Sequence, residues 1–404
     1  MKILSIETSC DETAVAILEA TGSLDDPDFQ VLGNSLVSQI ELHKEFGGVY
    51  PNLARREHAK NLVPILLSAL NQAFSKNLDI GCPSEEIISK IENILIKEPT
   101  LLELFKKEIS HLKRPNIDYI AVTHGPGLEP ALWVGIVFAE ALGALWSLPV
   151  LPVNHMEGHI YSPLYEAHRA RQADQKPLLE FSALALLVSG GHTELVHIRD
   201  FGSYEIVGRT RDDAVGEAFD KVARLLGLPY PGGPKISALA EIHRSKNLTP
   251  SFSLPRPMIH SNDLDFSFSG LKTAVLYKLK GQDITLDIQE EMSHEFEDAA
   301  VEVLISKTER ALKNHEAKTL IVAGGVSQNK TLRSELHKLK SRLEGLNLLL
   351  PENDLTTDNA VMIGIAAYIQ IIKNPKNLKI EPSKISAQGN LSLDSMVHIE
   401  TPKD

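Results

Sequence analysis

The chain has 404 residues, 43% of them apolar, which is more than one hydrophobic core normally holds and predicts two domains. A formal charge of -12 argues against unaided tight binding to a polyanion, so a nucleic-acid partner needs local basic patches or helper proteins to supply the field. Its two cysteines, Cys10 and Cys82, lie far apart and rule out a disulfide scaffold or a paired-cysteine zinc knuckle. The first residues offer no signal or transit pattern, and no charge-free apolar run reaches ~18 residues. A cytoplasmic location and no membrane partner are expected.

In chain order, "KILSIETSCDETAVAIL" gives a strand ending near Ile6, a polar turn of Thr8, Ser9, Cys10 and Asp11, and a returning strand from Thr13 to Leu18. A helix follows around "REHAKNLVPILLSALNQAF". In residues 79–115, Ile87, Ile88, Ile91, Ile94 and Leu95 share one helical face behind Ser84, Glu85 and Glu86, a suitable helix start. This stretch predicts a helical pair added to the first domain, with no chemistry assigned. Next, "NIDYIAVTHGPGLEPALWVGIVFAEALGALWSLPVLPVNHMEGH" alternates strands, a glycine turn and apolar helices, an α/β signature. The polar "YEAHRARQADQKPLLE" marks the junction between a first domain of 1–162 and a second of 178–404.

The second half repeats the style of the first. "FSALALLVSGGHTELVHI" is again a strand to Val188, a turn of Ser189, Gly190 and Gly191, and a strand from Thr193 to Ile198. Helices are expected in "RDDAVGEAFDKVARLLGL", "FSFSGLKTAVLYKLK", the long run to "ALKNHE", after "VSQN" and after "TTDN", with "PYPGGPK" as a rigid loop. Two hairpins of one shape, each opening a half, suggest internal duplication; two unrelated hairpins are the alternative. Their small hydroxyl and glycine turns leave backbone N–H groups free to approach phosphate oxygens.

"NHMEGH" puts His155 and His159 four apart, on one helical face, where both reach one ion. In zinc proteases the general-base Glu directly follows the first His. Here that position is Met156, and Glu157 points away from the shared face, so the protease reading loses its base. A structural pair without metal stays open. A third ligand is needed, and an acidic residue at a helix start near the facing domain serves: Asp358 in "LTTDNAV", whose plain alternative is an N-cap. Gly324, Gly325 and Asn329 in "AGGVSQN" suit approach of a base or ribose, or merely a tight connection. Asp220 in "GEAFDK" could accept from ribose hydroxyls or face solvent. Together these elements describe a nucleotide held in a cleft between two duplicated domains.

Through "IETSCDETAVAI", "GGVYPNLARREH", "GPGLEPAL", "NHMEGH", "LLVSGGHTEL", "GEAFDKVARLLGLPYPGGP", "DFSFSGLKT", "AGGVSQN" and "TDNAVMI", in order over residues 6–363, the chain resembles the tRNA N6-adenosine threonylcarbamoyltransferases of TsaD type. The resemblance implies a two-lobed α/β fold of the actin-like, Hsp70-like and sugar-kinase-like (ASKHA) class. It implies transfer of threonylcarbamoyl from threonylcarbamoyl-AMP to N6 of adenosine 37 in tRNAs reading codons that begin with A, forming t6A. It implies one divalent metal on His155, His159 and Asp358, iron first and zinc second. Leu187, Val188, Ser189, Gly190, Gly191, Asp220, Gly233 and Asn329 match the adenylate-binding set, and Asp11 and Glu12 match acidic positions close to the reacting group. A smaller protein of the same fold and a small ATPase are the implied partners. Residues 79–115, and smaller additions near "DDPDFQ" and "YEAHRARQ", exceed the length expected of the family.

The exocyclic amine of adenine is a poor nucleophile, so the carbonyl arrives activated as a mixed anhydride with AMP, and the enzyme aligns the two and stabilises the departing phosphate. Attack through Cys10 is disfavoured because no His or Lys sits beside it in sequence. Arg55, Arg56 and the basic 113–115 are candidate tRNA contacts, with a solvated surface as the alternative. Two rival classes remain: a metal-dependent hydrolase, formerly called glycoprotease, and a non-catalytic nucleotide-binding scaffold.

Overall fold

The computed structural model describes residues 1–74, 79–170, 178–351, 355–375 and 381–394. The chain forms two compact units, Met1–Leu178 with Asp358–Ser395, and Leu179–Thr357.

The first unit is built on strands β1 (Lys2–Glu7), β2 (Glu12–Gly22), β3 (Pro27–Ser38), β4 (Tyr119–Gly125) and β5 (Val150–Asn154), in the order β3-β2-β1-β4-β5. The expected hairpin is present: β1 pairs antiparallel with β2, Ile6 opposite Val15, while β4 and β5 join in parallel. Successive side chains on a strand face opposite sides, so both sheet faces must be covered. Leu4, Ile6, Val15 and Ile17 pack with the helices Pro51–Phe74 and Glu129–Trp146. On the other face the Ser5 hydroxyl donates to the Ala360 carbonyl at 2.6 Å, and a Cβ at Gly364 would lie 2.2 Å from Leu18 Cδ1. The helix Ala360–Lys373 therefore lies directly on β1 and β2.

That contact corrects the expected boundary. Asp358–Ser395 belongs to the first unit, because the nearly all-apolar helix Ala360–Lys373 covers the face of β1 and β2 that the other helices leave bare. By length and composition Glu129–Trp146 is the one described helix able to cross a membrane, yet Val134, Ile136, Phe138 and Leu142 are all in the core.

The added helical pair is present as Glu85–Leu95 and Pro99–Glu108. Ser84 caps the first, its hydroxyl accepting from Ile87 N at 3.3 Å, and Ile91 and Leu95 are buried against the first unit's core. Phe105 of the second meets Phe138 edge to face, with ring centroids 6.0 Å apart.

The second unit repeats the topology with β6 (Ala183–Val188), β7 (Thr193–Asp200), β8 (Ser203–Arg209), β9 (Thr319–Ala323) and β10 (Asn347–Leu349), in the order β10-β9-β6-β7-β8. Strand for strand this is the first unit's order, with β6 in the place of β1. The duplicated α/β class is thus the class observed. The third strand of each half, β3 and β8, is an addition to the two hairpins read from sequence. The stretch read as a rigid loop, "PYPGGPK", instead opens the helix Gly232–Ser245. Leu184, Leu186 and Val188 pack against Val222, Met292 and Phe296 from the helices Val215–Leu225 and Leu286–Asn314.

Candidate functional site

Strand β5 ends at Asn154, whose side-chain oxygen accepts from Met156 N (2.8 Å) and Glu157 N (3.3 Å) and so caps the helix His155–Tyr161. His155 is the first residue of that helix and His159 lies one turn on, their rings edge to face with centroids 4.7 Å apart. The helix that starts at Ala360 is capped by Asn359, whose side-chain oxygen accepts from Met362 N at 2.9 Å. Asp358 is therefore not the cap, and its carboxylate is free to turn to the histidines. Its Oδ1 lies 3.3 Å from His155 Nε2 and 3.1 Å from His159 Nε2.

The sequence places this third residue near a facing domain. It comes from the first unit itself, because the segment from Asp358 folds back there. The ligand atoms of the three residues lie within 4.8 Å of one another, and no other such cluster exists among the described residues. Glu157 is buried and accepts at Oε2 from the side-chain N–H of Gln370 at 2.7 Å, so it does point away from the pair.

Behind His155 sits a residue that sequence reasoning missed. Glu7, fully buried at the end of β1, accepts at Oε2 from His155 Nδ1 (3.1 Å) and Thr123 Oγ1 (2.6 Å), and at Oε1 from Ser9 N. Burial alone lowers the His155 pKa, but Asp358 and Glu7 together reverse that and hold it well above its ordinary value. Asp358 is partly buried, which raises its pKa, yet the two imidazoles hold it well below the usual carboxylate range. Two carboxylates on two buried imidazoles make a centre that favours positive charge. Two imidazole nitrogens and one carboxylate oxygen also form a donor set suited to ferrous iron or zinc, and the residues fit such an ion.

The first hairpin turn supplies Cys10, Asp11 and Glu12. Asp11 and Glu12 are both buried. Burial, with Asp358 and Asp11 nearby, pushes the Glu12 carboxyl up to about 10, which favours its protonated form at neutral pH. Burial and the same acidic neighbours push the Cys10 thiol up, which keeps it from being a nucleophilic thiolate. The turn is pinned by His58, another residue not singled out beforehand although it closes the "LARREH" motif. Its Nε2–H donates to the Cys10 carbonyl at 3.0 Å, which leaves Nδ1 to accept from Thr13 Oγ1 at 2.8 Å. Burial lowers its pKa to about 4.

In the second unit a cavity of about 800 Å³ is lined by Gly190, Asp220, Gly233 and Asn329, four of the expected adenylate residues, together with Gly325 and Arg244. Leu187 and Val188 do not line it; as inner residues of β6 their side chains are wholly buried. Ser189 and Gly191 belong to the turn beside it, where Ser189 Oγ accepts from Gly191 N (3.3 Å) and His192 N (3.1 Å). Asp220 Oδ1 accepts from Gly232 N at 2.7 Å, which fixes the start of the helix Gly232–Ser245. Asn329 is engaged at both ends: Oδ1 accepts from Leu332 N (2.8 Å), and Nδ2 donates to Ser237 Oγ (2.9 Å) and Glu297 Oε1 (2.6 Å). Glu297, also unforeseen, gathers Asn329 and Ser237 on one oxygen and Arg244 and Thr331 on the other. It ties three walls of the cavity together.

Of the candidate basic contacts, Arg55 is committed to Glu98, donating from Nε (2.9 Å) and Nη2 (2.6 Å). Arg114 donates to the Ile117 carbonyl at 2.9 Å, and Arg56 lies 3.6 Å from Glu57 with its side chain largely exposed.

The family model for TsaD, tRNA N6-adenosine threonylcarbamoyltransferase, matches residues 30–81 and 98–365. Its gap, 82–97, holds the helix Glu85–Leu95 but not Pro99–Glu108, so the stretch foreign to the family is shorter than the 79–115 expected. A Burkholderia multivorans protein named tRNA N6-adenosine threonylcarbamoyltransferase is 40% identical over 389 residues, covering 94% of this chain and 95% of that protein. Proteins of the same name from Polynucleobacter asymbioticus and Chromobacterium violaceum are each 42% identical, covering 92% of this chain and 93% of theirs. Among solved structures, full-length HypF aligns at a TM-score of 0.48 and 13% identity, covering 93% of this chain and 56% of that one.

Proposed function

Because the chain belongs to the TsaD family of tRNA N6-adenosine threonylcarbamoyltransferases, we propose that it transfers threonylcarbamoyl from threonylcarbamoyl-AMP to N6 of adenosine 37 in tRNAs reading codons that begin with A. The observation that carries this reading is the convergence of His155, His159 and Asp358, from segments 199 residues apart, on one buried centre without a protease base beside it.

His155, His159 and Asp358 would hold one divalent ion, ferrous iron first and zinc second. Bound there, it supplies a Lewis acid and a template for substrate oxygens. The protein's own residues do the rest. Asp220, Gly233 and Asn329 line the cavity that receives the adenosine, with Gly190 at its edge. In the turn of Ser189 to Gly191 the Ser189 N–H goes to the His192 carbonyl and the Gly191 N–H to Ser189 Oγ, which leaves the Gly190 N–H for phosphate, with no Cβ at two of the three positions. Asp11 and a protonated Glu12 frame the first-unit turn, where Glu12 can donate a hydrogen bond to an oxygen that gains charge. Departure of AMP supplies the driving force, and the amine of adenosine 37 attacks directly, since the Cys10 thiol is held protonated.

A tRNA partner is inherent in this activity. The chain's charge of -12, and the internal commitments of Arg55 and Arg114, favour additional partners that bring positive surface. A smaller protein of the same fold and a small ATPase fit that role, and a cytoplasmic setting fits them all. The hydrolase reading has no support in the site, since Glu157 is turned to Gln370.

The test is reconstitution. Purified protein with its partners, threonylcarbamoyl-AMP and an unmodified tRNA carrying adenosine 37 should yield t6A, and His155→Ala should not. Cleavage of a glycoprotein substrate by wild type, with no t6A formed, would replace this reading with the hydrolase.

A further inference from the structure

We infer that Glu7 is a positioning residue that fixes the proton of His155 on Nδ1, so that Nε2 presents its lone pair to the metal ion; this rests on the metal reading of His155, His159 and Asp358. His155 Nδ1 has two neighbours, Glu7 Oε2 at 3.1 Å and Ser9 Oγ at 3.2 Å. A serine hydroxyl can donate or accept, so Ser9 alone selects neither tautomer. Glu7 decides the matter because its two oxygens already act as acceptors: Oε1 takes the Ser9 N–H and Oε2 takes the Thr123 hydroxyl. Nδ1 facing such a group must carry the proton. Nε2 then points, unprotonated in the neutral ring, to the side where Asp358 and His159 Nε2 converge.

Carboxylates that orient a ligating imidazole in this way raise its basicity, and their loss typically costs about 10- to 100-fold in metal affinity. His159 has no equivalent among the described residues, where its buried Nδ1 finds no hydrogen-bond partner. The orientation of the pair therefore depends on the His155 side. The isosteric Glu7→Gln change is discriminating, because an amide has one oxygen. It can satisfy the Ser9 N–H or the His155 Nδ1–H, and its NH2 then opposes a donor on the other side.

The experiment uses the full chain, stripped of metal and titrated with zinc by calorimetry, as wild type, Glu7→Gln and His155→Ala. With 15N-histidine labelling, the hydrogen-bonded Nδ1–H of His155 is also observed in the zinc-loaded protein. The expected result is one ion per wild-type chain, binding about 10- to 100-fold weaker in Glu7→Gln with loss of the Nδ1–H signal, and no binding in His155→Ala. Wild-type affinity and an intact signal in Glu7→Gln overturn the inference and leave the metal site standing. No zinc bound by wild type overturns the metal reading itself. If Glu7→Gln does not fold, Glu7→Asp, which withdraws the carboxylate by one methylene, is judged by the same two readouts.

Discussion

Asp358 Oδ1 lies 3.1 Å from His159 Nε2, although 199 residues separate them and although the neighbouring Asn359 performs the helix cap that Asp358 could have performed. Adjacent residues thus divide two duties, one conformational and one at the candidate metal centre. Asn359→Ala should cost about 1 kcal/mol of stability, the usual effect of losing an N-cap. Asp358→Asn should instead keep the helix and lose the ion. Chemical denaturation and metal content measured on both variants separate these outcomes; equal metal loss in both would show that the division is false.

Acid sensitivity should trace to His58. Its pKa in the fold is about 4 against an ordinary 6.5, with burial the main cause. A depressed pKa means that the unfolded chain binds the proton more readily. The stabilising contribution is therefore complete above about pH 6.5 and is lost as pH falls towards 4, amounting to about 3 kcal/mol at most. Urea unfolding of wild type and His58→Gln from pH 4 to 7 checks this: the variant should show a flatter dependence over that window. Identical slopes would contradict it.

The cavity in the second unit should be intolerant of bulk where its turn meets the helix Val215–Leu225. A Cβ at Gly216 would sit 2.6 Å from the Ser189 carbonyl oxygen, a backbone atom that cannot swing aside. Gly216→Ala should displace the turn and weaken AMP binding at least tenfold in calorimetry, while zinc binding by the first unit is retained. Unchanged AMP affinity would remove this turn from the nucleotide site.

The helix Glu85–Leu95, which the family model skips, is nevertheless part of the first unit's core. Leu95→Ala should cost about 2 to 5 kcal/mol, as expected for a wholly buried leucine. A midpoint shift in denaturant measures it, and a negligible shift would mark the helix as a loosely attached ornament.

Much of this was legible in the sequence, for physical reasons that differ by residue. The hairpins were visible because apolar runs broken by small polar turns leave few alternatives, and the His155–His159 pair because helical spacing places both on one face. Asp358 was legible as a partner for the two histidines but not as a member of the first unit, since nothing local in "TTDNAV" says that the following apolar helix returns to β1 and β2. Glu7 escaped because a single carboxylate in an apolar strand carries no periodic signal; its neighbours Thr123 and His155 are 116 and 148 residues away. Glu297 was hidden in the same way within the long helix Leu286–Asn314. Leu187 and Val188, which the motif match also selected, are strand residues whose side chains belong to the core, so only their main chain is left to face a ligand.

The most direct test is nucleoside mass analysis of tRNA from cells depleted of this protein and rescued with wild type or His159→Ala. Wild type should restore t6A and His159→Ala should leave its level at that of the depleted cells. Full restoration by His159→Ala would contradict a metal-dependent transfer centred on the two imidazoles and Asp358.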